Sequence, residues 1–386
     1  MTIRREIEWE FRSLLGKYPA ITITGPRQSG KTTLAQMVCG DASYYNLEAP
    51  DVRAAALADP RAFLGRQKTA VVLDEIQRAP DLLSYIQVHI DKDDRPGRFI
   101  LTGSQQFEVM SRVSQSLAGR TAILKLLPFT ISEQARYGRN NNVDDFLLSG
   151  FYPRLYDKKL DSTRAYRNYF ETYVERDLKQ LAHLKDLSLF EKFVRLCAGR
   201  IGSVFVASGL ANDVGVSVPT ITAWASLLEA SYILFFLQPF YENIGKRLIK
   251  APKVYFYDVG LASYLLGIET LSQVERDPLR GPLFENMVVM ELLKKRFNRG
   301  LASNLFFYRD NNGNEVDILL KKGNRFVPCE VKVSQTFAPD FLKGLRYLKK
   351  IMPKRVSEGY VIYGGDQEHS LDGFKVINFR KACGLQ

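Results

Sequence analysis

The sequence predicts an α/β protein: a parallel-sheet core, a helix-rich middle and an α+β tail. Three observations carry this expectation. In the first third, short apolar runs at 20–24, 43–47, 70–74, 98–102 and 121–126 alternate with stretches of helical character, as in a parallel sheet with helical crossovers. Residues 187–257 hold two short helices around a glycine turn and then two β-rich runs. From residue 281 the order changes to one amphipathic helix followed mostly by strands.

With 386 residues, 46% hydrophobic and 25% charged, the chain has an ordinary globular balance and room for two or three domains. Lys and Arg outnumber Asp and Glu by 54 to 42, leaving +12. That permits binding to nucleic acid or another anionic surface without selecting either. Cys39, Cys197, Cys329 and Cys383 are scattered, which suits a reduced cytosol and offers neither a disulfide framework nor a zinc site. His89, His183 and His369 are isolated and read as structural or surface residues. Met1 to Glu10 is charged, so no signal peptide is expected. Tyr232–Leu237, the longest aliphatic-aromatic run, is too short to span a bilayer. A cytoplasmic protein with no membrane partner is the expectation.

The first domain is placed at 1–135. Residues 1–19 read as a helix leading into the strand Ala20-Ile21-Thr22-Ile23-Thr24, and Leu34–Val38 suits a second helix. Between strand and helix lie Gly25, Pro26, Arg27, Gln28, Ser29, Gly30, Lys31, Thr32 and Thr33. Strand, Gly-rich loop and helix form the setting a P-loop requires. Gly25 and Gly30 let the backbone curl so that its N–H groups face phosphate oxygens. Lys31 reaches the β- and γ-phosphates of ATP, and Thr32 places a hydroxyl on Mg²⁺.

Val71-Val72-Leu73-Asp74-Glu75 is an apolar strand ending in two carboxylates. Asp74 is expected in the Mg²⁺ shell and Glu75 as the group that polarises the attacking water; solvated acids at a strand end are the plainer reading. The strand candidate Ser43–Leu47 between the two motifs, together with Glu75, favours a water-activating ATPase over a small-molecule kinase. Arg98–Ser104 is the next strand. Its polar exit, Thr102, Ser104 and Gln105, is where a γ-phosphate sensor would sit, ordinary turn chemistry being the other reading. Ser116-Leu117-Ala118-Gly119-Arg120 ends a helix. Arg120 there reads either as a finger reaching a neighbouring subunit's γ-phosphate or as part of a helix C-cap.

A helical lid or linker is expected at 136–186, punctuated by Gly150-Phe151-Tyr152-Pro153-Arg154. Within it Tyr166–Leu181 forms a helix that sets Tyr169, Tyr173, Arg176 and Asp177 in step. Residues 187–280 read as a winged helix. Leu210–Ser217 gives a short helix and turn, Thr220–Glu229 a second helix, and Tyr232–Pro239 and Lys253–Asp258 the β-runs. The link carries Lys246, Arg247 and Lys250, and with Lys253 these are the candidate DNA contacts. Because the second helix has no Lys or Arg, contact with the DNA backbone is expected rather than base reading. A domain that only packs on the ATPase core is the alternative.

The tail, 281–386, begins with the helix Leu283–Phe297 carrying Glu285. Strands follow at 304–309, 314–321 and 325–333, a helix at Ala338–Ile351, and strands at Tyr360–Tyr363 and Phe374–Phe379. Gly323-Asn324 suits a two-residue hairpin turn. That register sets Asp317 opposite Glu330 and Glu315 opposite Lys332. Like charges facing each other on a sheet are destabilising, so a divalent cation held by Asp317 and Glu330, with Glu285 nearby and Lys332 on the same face, is one reading. A solvated hairpin or a decayed site is the other.

Together these stretches resemble one family. They are Gly25–Thr33, Leu73-Asp74-Glu75-Ile76-Gln77, Leu101-Thr102-Gly103-Ser104-Gln105, Ser116–Arg120, Tyr173-Val174-Glu175-Arg176-Asp177, Lys253–Leu261 and Asn314-Glu315-Val316-Asp317. The chain is similar over nearly its full length to the bacterial and archaeal AAA-type (AAA_14) ATPases in which an N-terminal P-loop domain joins a C-terminal domain of unknown function, DUF4143. The resemblance implies a core like the archaeal and origin-recognition branches of AAA+ ATPases. It also implies that Gly150–Pro153 matches a Gly-x-Pro element approaching the nucleotide, and that the tail is similar to PD-(D/E)xK nucleases through Glu285, Asp317, Glu330 and Lys332. Val316 stands where such nucleases carry Pro.

The expected function is ATP hydrolysis with Mg²⁺ by Lys31, Thr32, Asp74 and Glu75, with Arg120 acting in trans. Hydrolysis would be coupled to action on DNA, branched or broken DNA included, by a ring or other homo-oligomer whose tail engages or cleaves DNA. The alternative is a nucleotide-dependent signalling switch that binds a protein partner through a decayed nuclease-like tail.

Overall fold

A computed structural model describes residues 3–65, 69–104, 113, 116–138, 142–173, 186–240 and 251–385. The chain forms two compact units. Unit 1 comprises residues 1–129, 230–232 and 296–302, and unit 2 the remainder.

Unit 1 is built on a five-stranded parallel sheet of β1 (Ala20–Thr24), β2 (Ser43–Asn46), β3 (Val71–Asp74), β4 (Phe99–Gly103) and β5 (Thr121–Lys125), in the order β2-β3-β4-β1-β5. The expected strands are all present, within a residue or so at each end. β1, β3 and β4 are buried along their whole length, as inner strands of a parallel sheet covered on both faces must be. Strand alternation divides the core in two. Ile21, Ile23, Val72 and Ile100 meet Phe11 of α1 (Glu8–Leu15) and Leu34 of α2 (Lys31–Val38). Ala20, Val71, Leu73, Phe99 and Leu101 join Ala56 of α3 (Pro50–Ala58), Leu64 of α4 (Pro60–Gly65) and Leu82, Ile86 and Ile90 of α5 (Leu82–Lys92). The register pairs Thr24 with Gly103, Leu73 with Leu101 and Asn46 with Asp74. The carboxyl ends of β1, β3 and β4 therefore lie side by side, where open α/β sheets bind ligands.

Unit 2 opens with α6 (Ile131–Ala135), α7 (Val143–Ser149), α8 (Pro153–Asp157) and α9 (Ser162–Phe170). The helix expected to run to Leu181 is described only to Tyr173, so Arg176 and Asp177 lie outside the described residues. α10 (Leu187–Ala198), α11 (Ala207–Val214) and α12 (Val218–Ala230) follow, with Gly215 at φ 91° making the turn before α12. β6 (Leu234–Leu237) and β7 (Lys253–Phe256) then form an antiparallel ribbon. Asp258 caps α13 (Val259–Leu265) by accepting from Gly260 and Leu261 N–H at 3.0 and 3.2 Å. The same carboxylate accepts from Phe151 N–H at 2.7 Å and Tyr166 hydroxyl at 2.5 Å. A Cβ on Gly150 would come within 2.2 Å of Asp258 Oδ1, so the Gly150–Pro153 element is fitted closely to this carboxylate.

α14 (Leu271–Arg276) and α15 (Arg280–Phe297) lead into a six-stranded sheet. Its strands are β8 (Leu305–Arg309), β9 (Glu315–Lys322), β10 (Arg325–Lys332), β11 (Tyr360–Tyr363), β12 (His369–Leu371) and β13 (Phe374–Asn378), ordered β12-β13-β11-β10-β9-β8. Lys322 pairs with Arg325 and Ile318 with Cys329, so the Gly323-Asn324 turn and its register are as expected. The helix expected over 338–351 divides into a 3₁₀ turn, Pro339–Leu342, and α16 (Lys343–Ile351). β12 was not expected. It pairs with β13 through Asp372-Gly373, both at positive φ, the chemistry of a two-residue type I′ turn. Among the described residues no helix is long and apolar enough to cross a membrane.

Candidate functional site

The loop after β1 owes its shape to left-handed backbone. Gly25, Gln28 and Gly30 have φ of 149°, 61° and 93°. A Cβ at position 25 would sit 2.0 Å from the Leu126 carbonyl oxygen, which excludes every residue but glycine. Lys31 is almost wholly buried. Its ammonium donates to the carbonyls of Gly25 at 2.9 Å and Pro26 at 2.8 Å, closing the loop on itself. Burial lowers its pKa to about 8, against the pull of Glu75 and Asp74. α2 starts at Gly30 with no side-chain cap, leaving its first N–H groups available to an anion. Ser29 Oγ is buried with no hydrogen-bond partner. An uncapped helix start beside a buried orphan hydroxyl is a fitting seat for phosphate oxygens.

Asp74 and Glu75 stand beside this loop, as the strand order requires. Thr32 hydroxyl donates to Asp74 at 2.9 Å, and Tyr44 hydroxyl does so at 2.6 Å from β2. Thr102 hydroxyl donates to the other Asp74 oxygen and accepts from Glu75 N–H at 3.2 Å. Burial first, then the Asp74 hydrogen bond and charge, hold the Tyr44 phenol well above its ordinary value, so it stays a donor. A hydroxyl and a carboxylate in contact beside the phosphate seat are the oxygen donors that Mg²⁺ takes, so Thr32 and Asp74 fit that ion. Glu75 has φ 57°. Its Oε2 accepts from Ser104 hydroxyl at 3.1 Å and from the Gln77 amide, which also reaches Ser104 at 3.4 Å. Gln105 lies outside the described residues.

Three contributors to this site were missed from sequence. Arg5 donates to the Ser29 carbonyl at 2.8 Å and the Leu127 carbonyl at 2.7 Å, pinning the loop from the N-terminal segment. Tyr44 and Gln77 are the others. Tyr44 was legible in principle, two residues before the register partner of Asp74. Arg5 carries no local signal. Arg120 N–H closes the turn on the Leu117 carbonyl, and its guanidinium pairs with Asp91 of its own chain at 2.6 Å.

In unit 2 Asp317, Glu330 and Lys332 come together on the β9–β10 hairpin, as its register predicts. Lys332 ammonium lies 2.8 Å from Glu330 and 3.5 Å from Asp317, while Asp317 also accepts from Val331 N–H at 2.8 Å. Glu285 is engaged by Lys253 at 3.0 Å and by Tyr255 hydroxyl. Among the described residues no group of three His, Cys, Asp or Glu side chains is placed to hold a metal ion by itself, although Glu285, Asp317 and Glu330 are close enough for their charges to act on one another. Lysine ammoniums sit against these carboxylates, while Glu330 Oε2 is buried with no hydrogen-bond partner. Burial, then Asp317, push Glu330 up to about 8, with Lys332 pulling against them. Lys253 is also a correction. It is not a surface cation for DNA, because it is 2% exposed and paired inside the tail. Lys246, Arg247 and Lys250 lie outside the described residues.

Three family models match successive stretches of the chain. Residues 17–135 match the AAA domain family, 140–272 a domain of unknown function (DUF8612), and 280–382 the domain of unknown function DUF4143. Uncharacterised proteins of Mycobacterium tuberculosis and Mycobacterium bovis are each 29% identical over 371 residues, covering 95% of this chain and 81% of theirs. Among solved structures, the Walker-type ATPase of Pyrococcus abyssi aligns with a TM-score of 0.45 and 15% identity over 69% of this chain and 96% of that one. A RuvB variant of Thermotoga maritima aligns at 0.32 and 20% over 60% and 89%. AMPPCP-bound DnaA of Aquifex aeolicus aligns at 0.31 and 14% over 58% and 85%. The AAA match supports nucleotide binding and ATPase activity in general.

Proposed function

We propose that the chain is a P-loop ATPase that couples hydrolysis to conformational change on DNA, working as a ring or other homo-oligomer. One observation carries the ATPase part: the sheet order sets the phosphate seat, the Thr32–Asp74 contact and Glu75 side by side. The loop N–H groups and Lys31 bind the phosphates, and Thr32 and Asp74 would hold Mg²⁺. When bound, that ion neutralises phosphate charge. Glu75 takes the proton of the attacking water once it turns from Gln77 and Ser104, and Ser104 senses the γ-phosphate. Arg120 acts in trans. Releasing it costs little, since its pair with Asp91 is solvent-exposed and worth about 0–1 kcal/mol.

The DNA part rests on the net charge of +12, the paired helices α11 and α12 before the ribbon, read as a winged helix, and the basic link. The tail is read as a nuclease-like fold used to engage DNA. A second reading, the nucleotide-dependent switch that binds a protein, is favoured by a specific observation: Lys253 is buried and α12 carries no Lys or Arg. ATP turnover by the full chain, measured with duplex, single-stranded and four-way DNA at low and high salt, separates the two. The DNA reading expects stimulation that is indifferent to sequence and fades as salt displaces phosphate contacts. No binding and no stimulation by any DNA at low salt transfers the proposal to the switch.

A further inference from the structure

Lys253 lies on β7, and its side chain is 3% exposed. Its ammonium sits 3.0 Å from Glu285 Oε1 and 2.6 Å from Glu315 Oε1, and 5.5 Å over the Phe307 ring. Tyr255, two residues along the same strand and so on the same face, donates its hydroxyl to the same Glu285 oxygen. Glu285 comes from α15 and Glu315 from β9, so one ammonium joins three elements. Lys332, whose side chain is 32% exposed, pairs with Asp317 and Glu330 but leaves Glu330 Oε2 without a partner. Carboxylates crowded at a buried position cannot all stay ionised without a cation among them. Here both cations belong to the chain.

We propose that Lys253 is the resident cation of the tail: a tethered ammonium seated between Glu285 and Glu315 where a divalent ion would otherwise bridge them. The tail therefore keeps its structure without Mg²⁺ or Mn²⁺. An ammonium also has no bound water to ionise, so it supplies no metal hydroxide for phosphodiester attack. The β6–β7 ribbon is fastened to the tail sheet by charge.

The test is thermal unfolding of the nucleotide-free full chain with and without Mn²⁺. For the wild type, the midpoint should not respond through the tail. Lys253→Met should unfold at lower temperature and be raised by Mn²⁺. Adding Glu285→Gln and Glu315→Gln to it should restore the midpoint and remove the Mn²⁺ response. If Lys253→Met is insoluble, recovery by Mn²⁺ or by the paired carboxamides gives the same answer. A wild-type Mn²⁺ response lost in Glu285→Gln or Asp317→Asn overturns the proposal. So does a Lys253→Met chain that neither Mn²⁺ nor the carboxamides rescue. A response lost only in Asp74→Asn belongs to the P-loop and leaves the tail metal-free, as proposed.

Discussion

In unit 1, Ser29 hydroxyl is buried without a partner and α2 begins without a cap. In unit 2, Glu285, Glu315, Asp317 and Glu330 are each met by an ammonium of the same chain, with Glu330 Oε2 left without a hydrogen-bond partner. Both regions gather charge away from water, and both contain a buried lysine. Lys31 spends its donors on two backbone carbonyls, which are neutral. Lys253 spends its donors on two carboxylates. Burial consequently lowers Lys31 to about 8. For Lys253, burial pulls down as well, but Glu285 and its acidic neighbours outweigh it, and the pKa stands well above the ordinary value. A lysine held by dipoles has charge to offer an incoming anion. One neutralised by carboxylates has none. The first region is organised to receive a ligand and the second to hold itself together.

That contrast can be broken most sharply at Glu75. Glu75→Gln should lower kcat by about 10²–10⁴-fold, the range for losing a positioned base, with ATP affinity unchanged in a fluorescent-nucleotide titration. Equal turnover by this variant would remove Glu75 from the chemistry.

Lys31→Ala should weaken ATP binding by roughly 100-fold, as expected when charge-assisted hydrogen bonds to phosphate are lost. Protonation sharpens the point. With a folded pKa near 8 against an ordinary 10.5, Lys31 binds fewer protons in the folded chain across that window, so its penalty to stability fades as pH rises from 8 toward 10.5. Phosphate beside it raises its pKa again. ATP binding above pH 8 should therefore take up a proton, read as a binding enthalpy that depends on buffer ionisation. Uptake should vanish in Lys31→Ala.

Much of unit 1 was legible because its strands are continuous apolar runs and its motif glycines answer a steric demand. Gly25 faces a carbonyl at a distance no side chain tolerates. The Asp317–Glu330 hairpin was equally legible, since Gly323-Asn324 fixes the register. What escaped came from distant strands and segments. Arg5 reaches the loop from 24 residues away, and Lys253 meets Glu285 across 32 residues. No local pattern marks either, and a lysine in a β-run reads as a surface charge until its partners are known. Asp372-Gly373 is readable as a turn, but the short exposed run before it, His369–Leu371, carries no strand pattern.

The smallest expected effect is at Tyr44. Tyr44→Phe removes one hydroxyl from Asp74 at a cost of about 1 kcal/mol. The concentration of Mg²⁺ needed for full nucleotide binding should rise several-fold, while nucleotide affinity without Mg²⁺ stays as in the wild type. Unchanged Mg²⁺ dependence would leave Tyr44 with packing alone.

The most direct test of the difference between the two regions is a count of Mn²⁺ bound to the full chain by electron paramagnetic resonance, with and without a non-hydrolysable ATP analogue. The expected result is one tightly held Mn²⁺ that appears only with the nucleotide and is lost in Asp74→Asn. A tightly held Mn²⁺ present without nucleotide and lost in Asp317→Asn or Glu285→Gln would contradict it.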